Sequence, residues 1–270
     1  MLKKHALCIG VAPNAVSLLR IARWGRAAPE VLAEHSFAAG AAPADALAAA
    51  LREVLTAQDV GGWPLSFVLA DELTRLWQVT PPLLATRLAD LEAAAALRFH
   101  ALFGESPAAW DVSADWNADQ PFFAAAMPRA LKSTLEQIAA ERGLAIVAMQ
   151  PHFISVWNRW HKALKSNAWL GVMHSGVLTL GAVDGRQLRF VRALPVPHGA
   201  DHYWLTQMVQ REALLHDLQP PQLVQLAGPL PAALAKPPTH DGHIATAQLG
   251  AGQGEGWSAA SLLACAGGAA

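Results

Sequence analysis

A chain of 270 residues with 53% hydrophobic and 15% charged side chains can bury a substantial core and is too apolar to stay disordered. Twenty basic against twenty-one acidic residues leave a net charge of −1, which gives no electrostatic basis for binding nucleic acid. The apolar runs fall short of the ~18 residues that cross a bilayer, so no transmembrane segment is expected. Cys8 and Cys265 read as core thiols of a reducing compartment. The Met1-Leu2-Lys3-Lys4 start is interrupted by His5, Gly10 and Pro13 before a signal-like apolar core forms, and the expectation is a soluble cytoplasmic protein.

Residues 6–9 and 16–21 are apolar runs around Ala12-Pro13-Asn14, the pattern of a hairpin. A third strand is expected near 31–37, after a turn at 26–29. Leu47, Leu51, Val54 and Leu55 share one stripe of an alanine-rich helix over 43–57, and Gly61-Gly62 then breaks the chain. Residues 65–70 read as a buried strand, with 74–79 continuing the same sheet up to Pro81-Pro82. Leu84, Leu88, Leu91, Ala95, Phe99 and Leu102 step by three and four, which predicts a helix over 83–102 stopped by Gly104. Residues 105–120 carry Trp110, Asp111, Asp115, Trp116 and Asp119 without calcium-loop spacing, and read as a strand with polar turns before a further strand at 122–126.

The stretch 127–160 is a joint. Pro128 suits a first helical turn, Leu131, Leu135 and Ile138 recur at helical spacing, and Gly143 supplies a left-handed C-cap. Residues 144–149 are continuously apolar, as in a strand covered on both faces. Pro151 ends that strand, and a helix to Trp160 carries Phe153, Trp157 and Trp160 on one face, either as core or as a partner-binding surface.

After a polar connector at 163–167 the opening pattern returns. Residues 169–173, 177–183 and 187–194 read as strands, with Asp184-Gly185 as a type I′ turn. A helix over about 201–216 carries Leu205, Met208, Val209 and Leu215. A strand at 223–228, a Pro-rich loop or short helix at 229–241, a last strand at 244–249 and a helix at 258–266 with Ser258 as N-cap complete the chain. Each half runs strand, strand, strand, helix, strand, helix, which is a duplication of topology without a repeat of residues. The expected class is α/β with two lobes: residues 1–164, with a small inserted subdomain around 75–125, and residues 165–270, with the corresponding insertion largely missing.

Two such halves resemble the actin-like (ribonuclease H-like) ATPase superfold. More narrowly, the chain resembles the PilM family of type IV pilus platform proteins and the cytoplasmic part of the GspL family of type II secretion. The resemblance is carried by 65–79 followed by Pro81-Pro82 and a long helix, by 126–148 with Gln150-Pro151 after it, and by 171–195, 225–228 and 258–264. It implies a nucleotide cleft at the two hairpin turns, where such ATPases use Asp-x-Gly to organise Mg²⁺ and let backbone N–H groups approach phosphate. Here Gly10 stands in place of the Asp, Ala12 in place of the Gly, and Pro13 removes a donor. Ser17 replaces a basic residue found in some relatives, Met173-His174-Ser175-Gly176 brings no carboxylate, and Gly228 is what remains of a glycine pair bordering adenine. Gly10, Ala12, Asn14, His174, Ser175, Gly176 and Gly228 are therefore expected to form a vestigial nucleotide cleft, with ATP and Mg²⁺ disfavoured as cofactors and no catalytic or metal-ligating residue. His198 with His202 and His240 with His243 lack the spacing of a helical zinc site.

The resemblance implies a non-catalytic scaffold at the inner membrane that binds the cytoplasmic tail of a bitopic membrane protein; a homo-oligomer is compatible with it. The tail is expected against the long helix, with Arg87, Arg98 and His100 facing outward and Trp110 and Trp116 as aromatic walls, unless both tryptophans are core residues. An ATP-binding or sugar-kinase-like enzyme would need the missing Asp turns, and a small-molecule module using the cleft between the halves stays open.

Overall fold

The computed structural model describes residues 4–23, 27–38, 43–56, 60–184, 187–238, 242–250, 252, 254 and 256–267. The chain opens with an antiparallel meander, β1 (His5–Ala12), β2 (Ala15–Ala22) and β3 (Glu30–Ser36), then crosses through α1 (Pro43–Thr56) to β4 (Pro64–Leu69). An insert follows: β5 (Arg75–Val79), α2 (Leu88–Phe103), β6 (Trp110–Ala114) and β7 (Phe122–Pro128). The first half closes with α3 (Arg129–Glu141), β8 (Ala145–Pro151) and α4 (His152–Trp160). The second repeats the meander in β9 (Ala168–His174), β10 (Val177–Asp184) and β11 (Gln187–Pro195), then runs through α5 (His202–Leu215), β12 (Leu223–Ala227), β13 (Ala245–Leu249) and α6 (Ala259–Ala266). The strand orders β3-β2-β1-β4-β8 and β11-β10-β9-β12-β13 are the same pattern twice. Gly185, Arg26 and His240 lie outside the described residues; Asp184 and Gln187 pair across the expected turn.

Alternation along β1 explains how its sheet is covered. Leu7, Ile9 and Val11 point to one face and meet Leu51 and Leu55 of α1 and Leu135 and Ile138 of α3. The intervening Ala6, Cys8, Gly10 and Ala12 are small, and that face receives α6, whose Leu263 packs with Cys8 and Val68. On the second sheet the covering helix is α4: Phe153 packs with Leu170, Val172 and Ala227, and a Cβ on Gly181 would meet its ring at 2.4 Å. Each half is thus covered by the closing helix of the other, which locks the two halves together. Burying Phe153 alone contributes about 1.5–3 kcal/mol.

Three expectations change. Residues 74–79 do not continue the first sheet; β5 pairs with β7 in a separate sheet of order β5-β7-β6, because the Asp71–Leu73 turn redirects the chain. The long helix begins at Leu88, where Asp90 bonds back to the Arg87 N–H, and Leu84 lies outside it at φ 62° and 95% exposed. The strand at 144–149 is an edge strand rather than one covered on both faces, since only β4 flanks β8 and Val147 is 62% exposed.

Candidate functional site

The resemblance places a nucleotide's phosphates at the hairpin turns β1–β2 and β9–β10 of the two halves. In the first half, the face of β1 that leads to this turn packs against α6, while Pro13 and Asn14 in the turn itself are exposed. A Cβ on Gly10 would lie 2.4 Å from the carbonyl oxygen of Ala260 and 2.8 Å from the Ala264 nitrogen, so glycine is required there for the helix to pack. Ser17, paired with Gly10 in the hairpin, shares a 2.5 Å hydrogen bond with Ser261. The hydroxyls of Ser258 and Ser261 in turn donate to the Glu34 carboxylate. At the N-terminus of α6 the Ser258 hydroxyl oxygen accepts the Ser261 N–H, and Glu34 holds the two serine hydroxyls from β3.

The second closing helix is treated alike. Asp71, just past β4, accepts the Phe153 N–H at 3.0 Å in the first turn of α4 and also takes the Thr179 hydroxyl. Burial pushes this carboxyl up to about 6, against the opposing pull of those hydrogen bonds. Thr179 pairs with Val172 as Ser17 pairs with Gly10, so both hairpins turn a hydroxyl toward the helix that crosses them.

A cleft of about 320 Å³ remains on the second half, between α4, α6 and the ends of β12 and β13. His174 and Gly228 meet there, joined by His152. Gly228 sits at φ 93°, where a Cβ would lie 2.2 Å from the Met173 carbonyl oxygen. The His152 and His174 rings stack edge to face with centroids 5.6 Å apart, and Nδ1 of the first and Nε2 of the second have no hydrogen-bond partner. Burial drives both imidazoles down, to about 3 and about 4, so both are neutral. Neutral rings offer no positive charge to attract a phosphate. Among the described residues no group of three or more His, Cys, Asp or Glu is gathered to hold a metal.

The expected nucleotide set is thus divided. Gly10 and Ala12 lie on the face under α6, Asn14 and Ser175 are exposed, Ser175 and Gly176 form a turn with φ of 45° and 78°, and His174 and Gly228 share the smaller cleft. Sequence reasoning missed His152, Asp71 and Glu34. It also passed over the run with glycine at every second position from Gly250 to Gly256, three of which line the cleft.

The expected partner residues are divided too. Trp110 is a core residue of the insert, 7% exposed, with its ring 5.4 Å from Phe99 and the Arg75 guanidinium over it, so it walls no open groove. Trp116 is half-buried against Phe122, and Arg87 is exposed and tied to Asp90. Arg98 lines a larger cleft of about 900 Å³ between the insert and the second half, bounded by β5 on one side and β11 on the other. No helix among the described residues is long and apolar enough to cross a membrane.

No family model matches the chain, and no curated protein matches it. Solved structures do. The cytoplasmic domain of EpsL, an inner-membrane component of the type II secretion system of Vibrio cholerae, is similar with a TM-score of 0.61 at 12% identity, over 96% of this chain and 92% of that one. A chain of the PilM–PilN type IV pilus biogenesis complex gives 0.59 at 16% identity over 97% and 85%. A Bacteroides thetaiotaomicron protein of actin-like ATPase fold and unknown function gives 0.59 at 12% identity over 85% and 84%. Two halves of the same strand order, each covered by the other's closing helix, together with these likenesses, establish that the chain has the actin-like ATPase fold.

Proposed function

We propose that the protein is a non-catalytic actin-fold platform that holds an extended, acidic segment from the cytoplasmic tail of a bitopic inner-membrane protein. The observation that carries this is the 900 Å³ cleft between the insert and the second half. It is at the upper end of the size of ligand sites. Both strands that line it, β5 and β11, are edge strands of their sheets, and an extended segment can add to such an edge through main-chain hydrogen bonds. Arg75 and Arg192 are held by Glu105 and Glu212, whereas Arg98 and Arg189 line the cleft without a carboxylate partner among the described residues. An acidic side chain in the segment would meet those two guanidinium groups, and Leu76 and Phe103 offer apolar contact.

The absence of catalysis rests on the packing of α6 over Gly10 and on the carboxylates of Glu34 and Asp71 at the two helix N-termini. The setting is supported by the similar structures, one an inner-membrane component of a secretion system and one a two-protein pilus complex. Fluorescence anisotropy with labelled tails of single-span membrane proteins encoded beside this gene tests the reading. One tail is expected to bind, and Arg189→Glu and Arg98→Glu are each expected to weaken it at least about tenfold. Absence of binding by every such tail to the folded protein, or binding indifferent to both reversals, would overturn it.

A further inference from the structure

Between β5 and α2 the chain turns through Pro82-Leu83-Leu84-Ala85, and the two leucines at the apex stand in solvent. Leu83 is 98% exposed and Leu84 95%, so the fold gains almost nothing from burying either side chain. The Ala85 N–H donates to the Pro82 carbonyl oxygen at 3.2 Å, which closes a β-turn with the leucines at its central positions. Leu84 has φ of 62°, the left-handed conformation that a type II turn demands there and that glycine adopts without strain. The turn thus combines a strained backbone with two uncovered aliphatic side chains. Such an outlier, unrewarded within the fold, points to a use outside it.

We propose that this turn dips into the surface of a lipid bilayer, with Leu83 and Leu84 as the inserted tip. The tip is purely aliphatic, whereas the residues that dominate protein contacts are chiefly Trp, Tyr and Arg, with leucine under-represented. Arg87, the cation nearest to it in the chain, is held by Asp90, so the tip has no unpaired charge with which to select a protein partner. The turn also follows directly from β5, and Arg75 to Thr80 line the 900 Å³ cleft. A membrane-anchored tail held in that cleft would keep the bilayer within reach of the turn. This last point rests on the tail reading; the composition and strain of the turn do not.

The contact is weak by itself. A single myristoyl chain gives an association constant of only about 10⁴ M⁻¹, and two leucines bring fewer apolar carbons than that. The turn therefore orients a protein already at the membrane and does not recruit it from solution. Burial of apolar surface drives the insertion, which should be indifferent to headgroup charge and to salt.

Leucine-methyl NMR of the full chain with phosphatidylcholine bicelles, carrying a lipid spin-labelled in its acyl chain, tests the proposal and registers weak insertion. The Leu83 and Leu84 methyl signals are expected to broaden ahead of those of Leu97 and Leu214, which are 74% and 83% exposed on helices. Leu83→Ser should weaken bicelle binding roughly tenfold or more, read from the Leu84 signals. Leu84→Gly should also weaken it, yet melt no lower than wild type, because glycine is at ease at that φ. Equal broadening of all exposed leucines, or none, would overturn the proposal and leave the tip to a protein pocket. Broadening that appears only with anionic phosphatidylglycerol would overturn it too, since charge would then be the attraction. A lower melting temperature in Leu84→Gly would show that the leucine serves the fold, which removes the premise. No tail is present in these measurements, so their failure is distinct from failure of the tail reading.

Discussion

Ser17 and Ser261 stand 244 positions apart and share a 2.5 Å hydrogen bond between buried hydroxyls. Ser261 donates its own hydroxyl hydrogen to Glu34, so strands β2 and β3 and the last helix are joined by one polar chain. The packing of α6 on the first sheet is therefore held by hydrogen bonds as well as by apolar contact.

Restoring the acid should damage the fold before it restores chemistry. Gly10→Ala is expected to cost about 1–3 kcal/mol in denaturant unfolding, because its Cβ would press on the backbone of α6. Gly10→Asp should cost more, since it adds a buried charge at the same place. Wild-type stability in Gly10→Ala would mean that α6 does not pack on β1.

Ser261→Ala tests the polar chain separately. It leaves Ser17 and Glu34 short of a partner, with an expected loss of about 1–3 kcal/mol. In the Ser17→Ala, Ser261→Ala pair the two losses should not add, because both remove the same bond. Additive losses in the double-mutant cycle would show that the hydroxyls act independently.

Strand position gives a second pair of outcomes. Leu65 is fully buried on β4, between β1 and β8, and Leu65→Ala should cost about 2–5 kcal/mol. Ile146 on the edge strand β8 is half-buried against the same core, so Ile146→Ala should cost roughly 1–2 kcal/mol, and Val147→Ala less than about 0.5 kcal/mol. Equal losses for Leu65 and Ile146 in urea melts would contradict the strand order.

Stability should fall with acid. His152 and His174 titrate near 3 and 4 in the fold against 6.5 for a free imidazole, so the unfolded chain takes up protons first as pH drops below 6.5. Asp71 acts in the opposite sense: raised to about 6 from 3.8, it gives the folded state one extra proton between those values. Two imidazoles against one carboxyl leave a net loss of about 1.4 kcal/mol per pH unit between about pH 6 and pH 4. Urea melts at pH 7 and pH 5 should show the loss, and His152→Phe should reduce it. A wild type equally stable at both would contradict the burial of the two rings.

Much of this fold is legible in the chain because apolar spacing reports faces: Leu47, Leu51, Val54 and Leu55 all point into the first core as their helical stripe requires. The edge position of β8 is not legible, since a continuous apolar run looks the same beside one neighbour or two, and exposure of Val147 distinguishes them only in three dimensions. The loss of the acid at Gly10 could be read directly, but its reason could not. The small residues Ala6, Cys8, Gly10 and Ala12 are the trace that α6 leaves on β1, and nothing local in an eight-residue helix says which sheet it covers. Glu34 and Asp71 were equally hidden, because a carboxylate that reaches a helix's first turn from a distant segment has no sequence spacing to betray it. Trp110 shows the opposite case, a residue whose aromatic bulk suits a docking wall and a core equally until Phe99 is seen against it.

The most direct test of the account is calorimetric titration of the wild-type protein with Mg·ATP. Glycine at position 10 with α6 packed over it, and the Asp71 carboxylate on the first turn of α4, predict no saturable heat up to millimolar nucleotide. Saturable binding with a micromolar dissociation constant, an interaction of about −8 kcal/mol, would contradict it.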